Sequence, residues 1–216
     1  MNKTILFDLD GTIIDSTPAI LDGFNCAFKS HNMPNPNPES IKALVGHPLD
    51  IMFGRLGVDK ELVQSYIDAY KARYQEIYLD QTVLLNFAKE AVELASQIAD
   101  VGVVTTKTSK FSAILLEHLG IMKYVKTLIG RDDVANPKPH PEPINLALLR
   151  LGKDADEHRT NAFMIGDTCM DMSAAKAANV NGLALLCGYG TIEILQTCSD
   201  KIFANPLEAV RYIQNL

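Results

Sequence analysis

Asp8-Leu-Asp-Gly-Thr12 sets two carboxylates two residues apart at the end of an apolar run, Lys3-Thr-Ile-Leu-Phe-Asp8. In a strand, alternation points Asp8 and Asp10 to the same side, and Gly11 lets the backbone turn and approach a ligand closely. Two carboxylates at one strand end repel. Either one of them keeps its proton or a hard divalent cation relieves the repulsion, so the pair predicts magnesium. From average residue usage the five-residue pattern arises by chance on the order of once in a few hundred chains of this length. A second acidic pair, Gly166-Asp167-Thr-Cys-Met-Asp171, follows another apolar run, Ala162 to Ile165. Its i, i+4 spacing at the opening of a helix can set Asp167 on a metal, with Asp171 orienting it from behind. Asp171 near a helix N-terminus is equally explained as a helix cap.

Two further positions suit a phosphate. Thr105 or Thr106 ends an apolar run, where a hydroxyl and the neighbouring amides can bind an anion beside the next helix. Lys138 lies in Asn136-Pro-Lys-Pro-His-Pro-Glu-Pro143. Its four prolines prevent a helix before Pro141 and stiffen the lysine on both sides, which suits it to clamp a phosphate.

Strands must deliver these groups to one edge. Lys3–Asp8, Val101–Thr106, Thr127–Gly130, Ala162–Gly166 and Gly182–Cys187 are continuously apolar and read as buried strands of a parallel sheet. Helical patterns alternate with them: Ser109 to His118, Pro141 to Leu151, Asp171 to Ala178, and Pro206 to Leu216 with Asn205 as N-cap. Such alternation builds an open α/β sheet whose strand ends share one ligand-binding edge. Residues 16 to 82 break the rhythm. Thr17-Pro18 opens a helix, and Leu62, Val63, Tyr66, Ile67, Tyr70, Tyr74, Ile77 and Tyr78 form a helical stripe that reads as core packing, so a small helical domain is inserted after the first strand.

The chain has 216 residues with 20 basic and 26 acidic side chains and a net charge of −6, so it offers nucleic acid no general basic field. No apolar run reaches membrane-spanning length and the first thirty residues carry no export signal, so a cytoplasmic protein is expected. Cys26, Cys169, Cys187 and Cys198 lack CxxC spacing and are expected as buried or half-buried thiols, with neither zinc nor disulfides.

The order of these motifs resembles the haloacid dehalogenase superfamily. Within it, Asp10-Gly-Thr-Ile-Ile-Asp-Ser16, Val104-Thr-Thr-Lys107, Gly130-Arg-Asp-Asp-Val134, Lys138-Pro-His-Pro and Gly166-Asp-Thr-x-x-Asp171 are similar to the phosphoglycolate phosphatase branch. The resemblance implies a Rossmann-like parallel sheet core over residues 1–15 and 83–216, with an α-helical cap over 16–82. It implies Asp8 as nucleophile and Asp10 as acid/base, with the Asp10 main-chain carbonyl also on the metal. Thr105 and Lys138, with Gly11 and Thr106 beside them, would bind the phosphoryl group. Asp167 would complete the Mg2+ site, with Asp171 behind it. Two departures stand out: Leu85-Asn-Phe-Ala88 replaces the usual Pro-Gly helix entry, and Thr106 stands where Asn is frequent.

The expected reaction is hydrolysis of a small phosphorylated metabolite through an aspartyl-phosphate. Asp10 separates it from a metal-free dehalogenase, which needs no acid/base there, and from an enzyme that stores its phosphoryl group. A sugar-phosphate mutase and a phospho-accepting signalling receiver are the rival readings. In the cap, Val45-Gly-His-Pro-Leu49 with Arg55 is either a loop in which His47 and Arg55 meet a second anionic group of the substrate, or a plain turn with exposed polar side chains.

Overall fold

β1 (Lys3–Phe7) is buried from Thr4 onward and opens the chain's central sheet. The computed structural model describes residues 3–216. After β1 and the Asp8–Ile13 turn, the short β2 (Ile14–Asp15) leads into a run of helices: α1 (Thr17–Ser30), α2 (Pro38–Lys42), α3 (Leu49–Arg55) and α4 (Val63–Ile77). β3 (Val83–Leu84), paired with β2, leads out of it. α5 (Ala88–Ile98), β4 (Ala99–Val104), α6 (Ser109–His118), β5 (Thr127–Ile129), α7 (Glu142–Arg150) and α8 (Asp156–Arg159) follow. The chain ends with β6 (Ala162–Gly166), α9 (Cys169–Ala177), β7 (Asn181–Leu185), α10 (Ile192–Leu195), β8 (Ile202–Phe203) and α11 (Pro206–Gln214). Two compact units result, one from the residues up to Ile14 with Leu84–Leu216, the other from Asp15–Val83.

In the first unit six strands of the described residues run in the order β5-β4-β1-β6-β7-β8, and the pairings along the sheet are parallel. Continuous apolarity follows from burial on both faces. Leu6, Val104, Ile129 and Met164 pack with Ile144 and Leu148 of α7 and with Ala174 and Ala175 of α9. The alternate residues Ile5, Phe7, Val103 and Ile165 are also fully buried, and α5 and α11, packed on each other, contact β4 and β7. Phe7 pairs with Val103 on one side and Ile165 on the other. β1, β4 and β6 therefore empty at one rim, which brings Asp8, Thr105 and Asp167 to the same edge.

α5 escapes the periodicity argument because its buried face is Ala88, Ala91, Val92 and Ala95; small residues at i, i+3, i+4 and i+7 leave no visible apolar stripe. β8 is two residues at the sheet's edge, too short to carry a pattern. α11 follows its expected capping, with the Asn205 side chain accepting from Glu208 N.

In the second unit the tyrosine stripe is core. Tyr66, Ile67, Tyr70, Tyr74 and Ile77 of α4 are buried, and Tyr66 and Tyr70 meet Phe24, Phe28 and Phe53 largely edge-on, with ring centroids 5.1–6.3 Å apart. Gly23 of α1 lies directly under Tyr70, where a side chain would enter the ring. Leu62, expected on the stripe, lies before the helix and is exposed.

The cysteine reading is corrected. Cys169 and Cys198 form a disulfide, their Cα atoms 5.7 Å apart, while Cys26 and Cys187 are half-buried thiols as expected. A sequence separation of 29 carries no motif; the two meet only because the segment after α10 folds back on the start of α9.

Candidate active site

Asp8 leaves β1 with its amide donating to Ile165 O at 2.8 Å, still in the ladder geometry of the sheet, and the residue is 4% exposed. Gly11 turns the chain at φ +79°, and a Cβ there would overlap the Asp167 carboxylate. A side chain would thus be strained in its backbone and would also displace the acid beside it. The turn delivers Thr12, fully buried, whose hydroxyl donates to Asp167 Oδ1 at 3.1 Å. From the facing side the Tyr189 amide donates to Asp167 Oδ2 at 2.7 Å.

Asp171 lies in the first turn of α9 and accepts from the Thr168 hydroxyl at 2.7 Å and the Thr168 amide at 3.1 Å, so it caps the helix as one reading of the sequence had it. It is also fully buried and faces the site. Lys138, an exposed charge in most settings, is 3% exposed here. Its ammonium lies 2.8 Å from Asp8 Oδ1 and 2.5 Å from Asp171 Oδ1. The loop holding it is pinned by Glu142, whose carboxylate accepts the Ala135 and Asn136 amides at 2.9 Å each.

Asp8, Asp167 and Asp171 thus bring carboxylate oxygens within 4.8 Å of one another, all three buried. Ionised together with one lysine, they leave an excess of two negative charges. Burial pushes the Asp8 carboxyl up to about 7, against the pull of Lys138 and with a further push from Asp171. Burial raises Asp167 well above the usual carboxylate range, and the charges of Asp171 and Asp8 add to it. Burial works against the Lys138 ammonium as well, but Asp171 and Asp8 outweigh it and raise its pKa. Buried carboxylates in excess of their counter-charges, with oxygen donors only, fit a hard divalent cation such as Mg2+.

That fit has a measurable consequence. In the metal-free fold Asp8 and Asp167 hold protons that the unfolded chain has released, so the site's contribution to stability falls as pH rises from about 4 through about 7. Magnesium reverses the cost once it displaces those protons. Thermal unfolding should therefore show stabilisation by Mg2+ that is larger at pH 8 than at pH 5.5. At a hundredfold excess over Kd, linkage gives about 2.7 kcal/mol at the higher pH. Equal shifts at the two pH values would refute the carboxylate site.

The remaining expected residues fall as follows. Asp10 is at the same turn, but its carboxylate points to Lys107, with Nζ to Oδ2 at 3.3 Å, and lies outside the buried trio. Asp171, expected behind the metal, has an oxygen within the same 4.8 Å group as Asp8 and Asp167. Thr105 is buried at the end of β4, its hydroxyl oxygen accepting the Lys107 amide at 3.2 Å; Thr106 beside it is half-buried. In the helical unit Arg55 and His47 are 3.0 Å apart, and burial together with the Arg55 charge lowers the His47 pKa. Three supports of the site had no assigned role in the sequence. Thr12 and Lys107 lie inside quoted motifs, whereas Tyr189 contributes a backbone amide that any residue type supplies. Only the flanking Gly188 and Gly190 signal that the backbone comes close there: Gly188 has no room for a side chain against Asp167.

Comparison with known proteins agrees with this geometry. Residues 5–185 match the model of the haloacid dehalogenase-like hydrolase family. The chain is 33% identical to the probable phosphatase IndB of Dickeya dadantii over 97% of its own length and 92% of that protein. It is 32% identical to the phosphoglycolate phosphatase of Pectobacterium atrosepticum, over 93% and 87% of the two chains. A haloacid dehalogenase-like hydrolase of Streptococcus pneumoniae superposes with a TM-score of 0.87 at 27% identity, covering 99% of each chain. The chain belongs to the haloacid dehalogenase-like hydrolases.

Proposed function

We propose that this member of the haloacid dehalogenase-like family, a phosphoric monoester hydrolase, is a magnesium-dependent phosphatase of a small phosphorylated acid, acting through an aspartyl-phosphate on Asp8. The observation that carries the reading is the buried Asp8–Lys138–Asp171 bridge beside Asp167 at the rim where β1, β4 and β6 end. It is supported by the phosphatase names of the relatives described above.

Asp8 attacks the phosphorus in line, and the leaving alkoxide takes a proton from Asp10. Asp10 then accepts a proton from the water that attacks the same phosphorus, and Asp8 is released unchanged. Lys138 keeps the Asp8 carboxylate oriented and offsets charge on the phosphoryl oxygens. The Thr105 oxygen accepts from Lys107 N, which leaves the hydroxyl hydrogen to donate to the phosphoryl group, beside Thr106 and the Gly11 turn. Asp8, Asp167 and the Asp10 main-chain carbonyl would hold Mg2+, with Asp171 steadying the set. When bound, the cation withdraws charge from the transferring group, so that catalysis is mostly positioning and electrostatics.

His47 and the exposed Arg55 are assigned to recognition of a second anionic group on the substrate. No helix of the described residues is long and apolar enough to cross a membrane, in keeping with the cytoplasmic location we assign. A screen of small phosphorylated metabolites with Mg2+ tests the proposal. Repeated release of inorganic phosphate is expected, abolished by EDTA and restored by Mg2+. Isomerised sugar phosphate without free phosphate would instead identify a mutase, and one phosphoryl group taken up per chain without turnover would identify a receiver.

A further inference from the structure

The Cys169–Cys198 disulfide joins two segments that both hold Asp167. Cys169 is the first residue of α9, two positions beyond Asp167 and two before Asp171. Cys198 follows α10, and α10 is led by the Gly188–Thr191 loop. From that loop the Tyr189 amide donates to Asp167 Oδ2 at 2.7 Å, and Gly188 presses against the same carboxylate. Asp167 to Cys169 and Tyr189 to Cys198 thus form a ring with two closures, one a hydrogen bond to Asp167 and the other the disulfide.

Between the two closures the segment is anchored by a small core, in which Leu195 of α10 packs with Met172 and Ala184 and has Cys198 and Ile202 against it. Of the four residues of α10 only Leu195 is buried; Ile192 is 37% and Ile194 55% exposed. A segment anchored through one buried helix residue opens at lower free-energy cost than the sheet beside it unless a covalent link restrains it. The link is also reachable. Cys198 lines a polar cleft of about 510 Å³ with Ser173, Lys176, Gln196, Thr197 and Ser199.

We propose that the Cys169–Cys198 pair is a redox-operated positioning element: as a disulfide it holds the Gly188–Thr191 loop on Asp167, and as two thiols it releases the loop and weakens magnesium binding. The inference rests on the reading that Asp167 helps hold the cation. In the switching step a dithiol reductant attacks one sulfur through its thiolate and the S–S bond breaks. The reductant's second thiol then displaces the mixed disulfide. Two electrons and two protons pass to the cysteines, and the reductant leaves as its own disulfide.

Calorimetric titration with Mg2+, on the full chain with and without dithiothreitol, tests the proposal. Reduction should raise the Mg2+ Kd about tenfold, at the low end of the loss seen when groups supporting a metal ligand are removed, and reoxidation should restore it. Thiol titration under denaturing conditions should count two thiols, Cys26 and Cys187, before reduction and all four after it. Cys198→Ser should bind like the reduced wild type and ignore reductant, which a loss of general stability alone would not produce. Asp167→Asn should lose Mg2+ binding in both redox states. If it binds like the wild type, the metal role of Asp167 is wrong. If it loses binding while oxidised and reduced wild type bind alike, only the redox inference falls. Four thiols after mild oxidation would also overturn it.

Discussion

Asp8→Asn should reduce turnover by about 10⁴–10⁶-fold, the range over which loss of a member of a nucleophilic catalytic group is felt, and leave no phosphoryl group on the protein after rapid quenching with labelled substrate. The side chain keeps its shape but loses its charge and one of its two oxygens. Because burial raises Asp8 to about 7 in the metal-free fold, the ionised form is the one that destabilises the site at pH 8. The neutral amide removes that cost, so metal-free Asp8→Asn should unfold at or above the wild-type temperature at pH 8. Its stabilisation by Mg2+ should be the smaller, since one oxygen donor is gone. A dead but stable variant separates chemistry from folding. Wild-type turnover, or labelled phosphoprotein from this variant, would end the case for Asp8 as nucleophile.

The rim was legible in sequence for a physical reason. Buried parallel strands are continuously apolar, so a charged residue directly after one marks where the chain leaves the sheet. Asp8 and Asp167 were found that way, the uncharged Thr105 only as one of two candidates with Thr106 at the end of its run, and β1, β4, β5, β6 and β7 lie within about two residues of their expected spans. Lys138 was legible through the prolines that forbid a helix around it. What could not be read is what meets what across the fold. Tyr189 serves Asp167 through a backbone amide, Asp10 meets Lys107 rather than the trio, and the disulfide joins residues whose spacing says nothing. α5 was hidden because alanine packs closely without marking a stripe. Asp171 joins both of its sequence readings, since one carboxylate caps α9 with one oxygen and meets Lys138 with the other.

Lys138→Met should be the most destabilising of the single substitutions considered, and its cost should depend on pH. The ammonium is shared by Asp8 and Asp171 at 2.8 and 2.5 Å, and methionine fills a similar volume without charge. Removing one partner from a buried ion pair costs about 3–5 kcal/mol, because the remaining charge is left uncompensated. At pH 8 the carboxylates bear that penalty in full. At pH 5.5 Asp8, raised to about 7 even with the lysine present, takes a proton and avoids part of it. Thermal unfolding should therefore show a larger deficit relative to wild type at pH 8 than at pH 5.5. Added Mg2+ should recover part of the deficit at pH 8 by supplying positive charge to the same oxygens. Activity should not follow stability. At saturating Mg2+ and a temperature where the variant is folded, kcat should remain down by about 10²–10³, the loss expected when a preorganised charge facing the transferring group is removed. A deficit that is level across the two pH values would mean that Lys138 supports the loop by packing alone. Full recovery of kcat with Mg2+ would mean that its charge is dispensable to phosphoryl transfer.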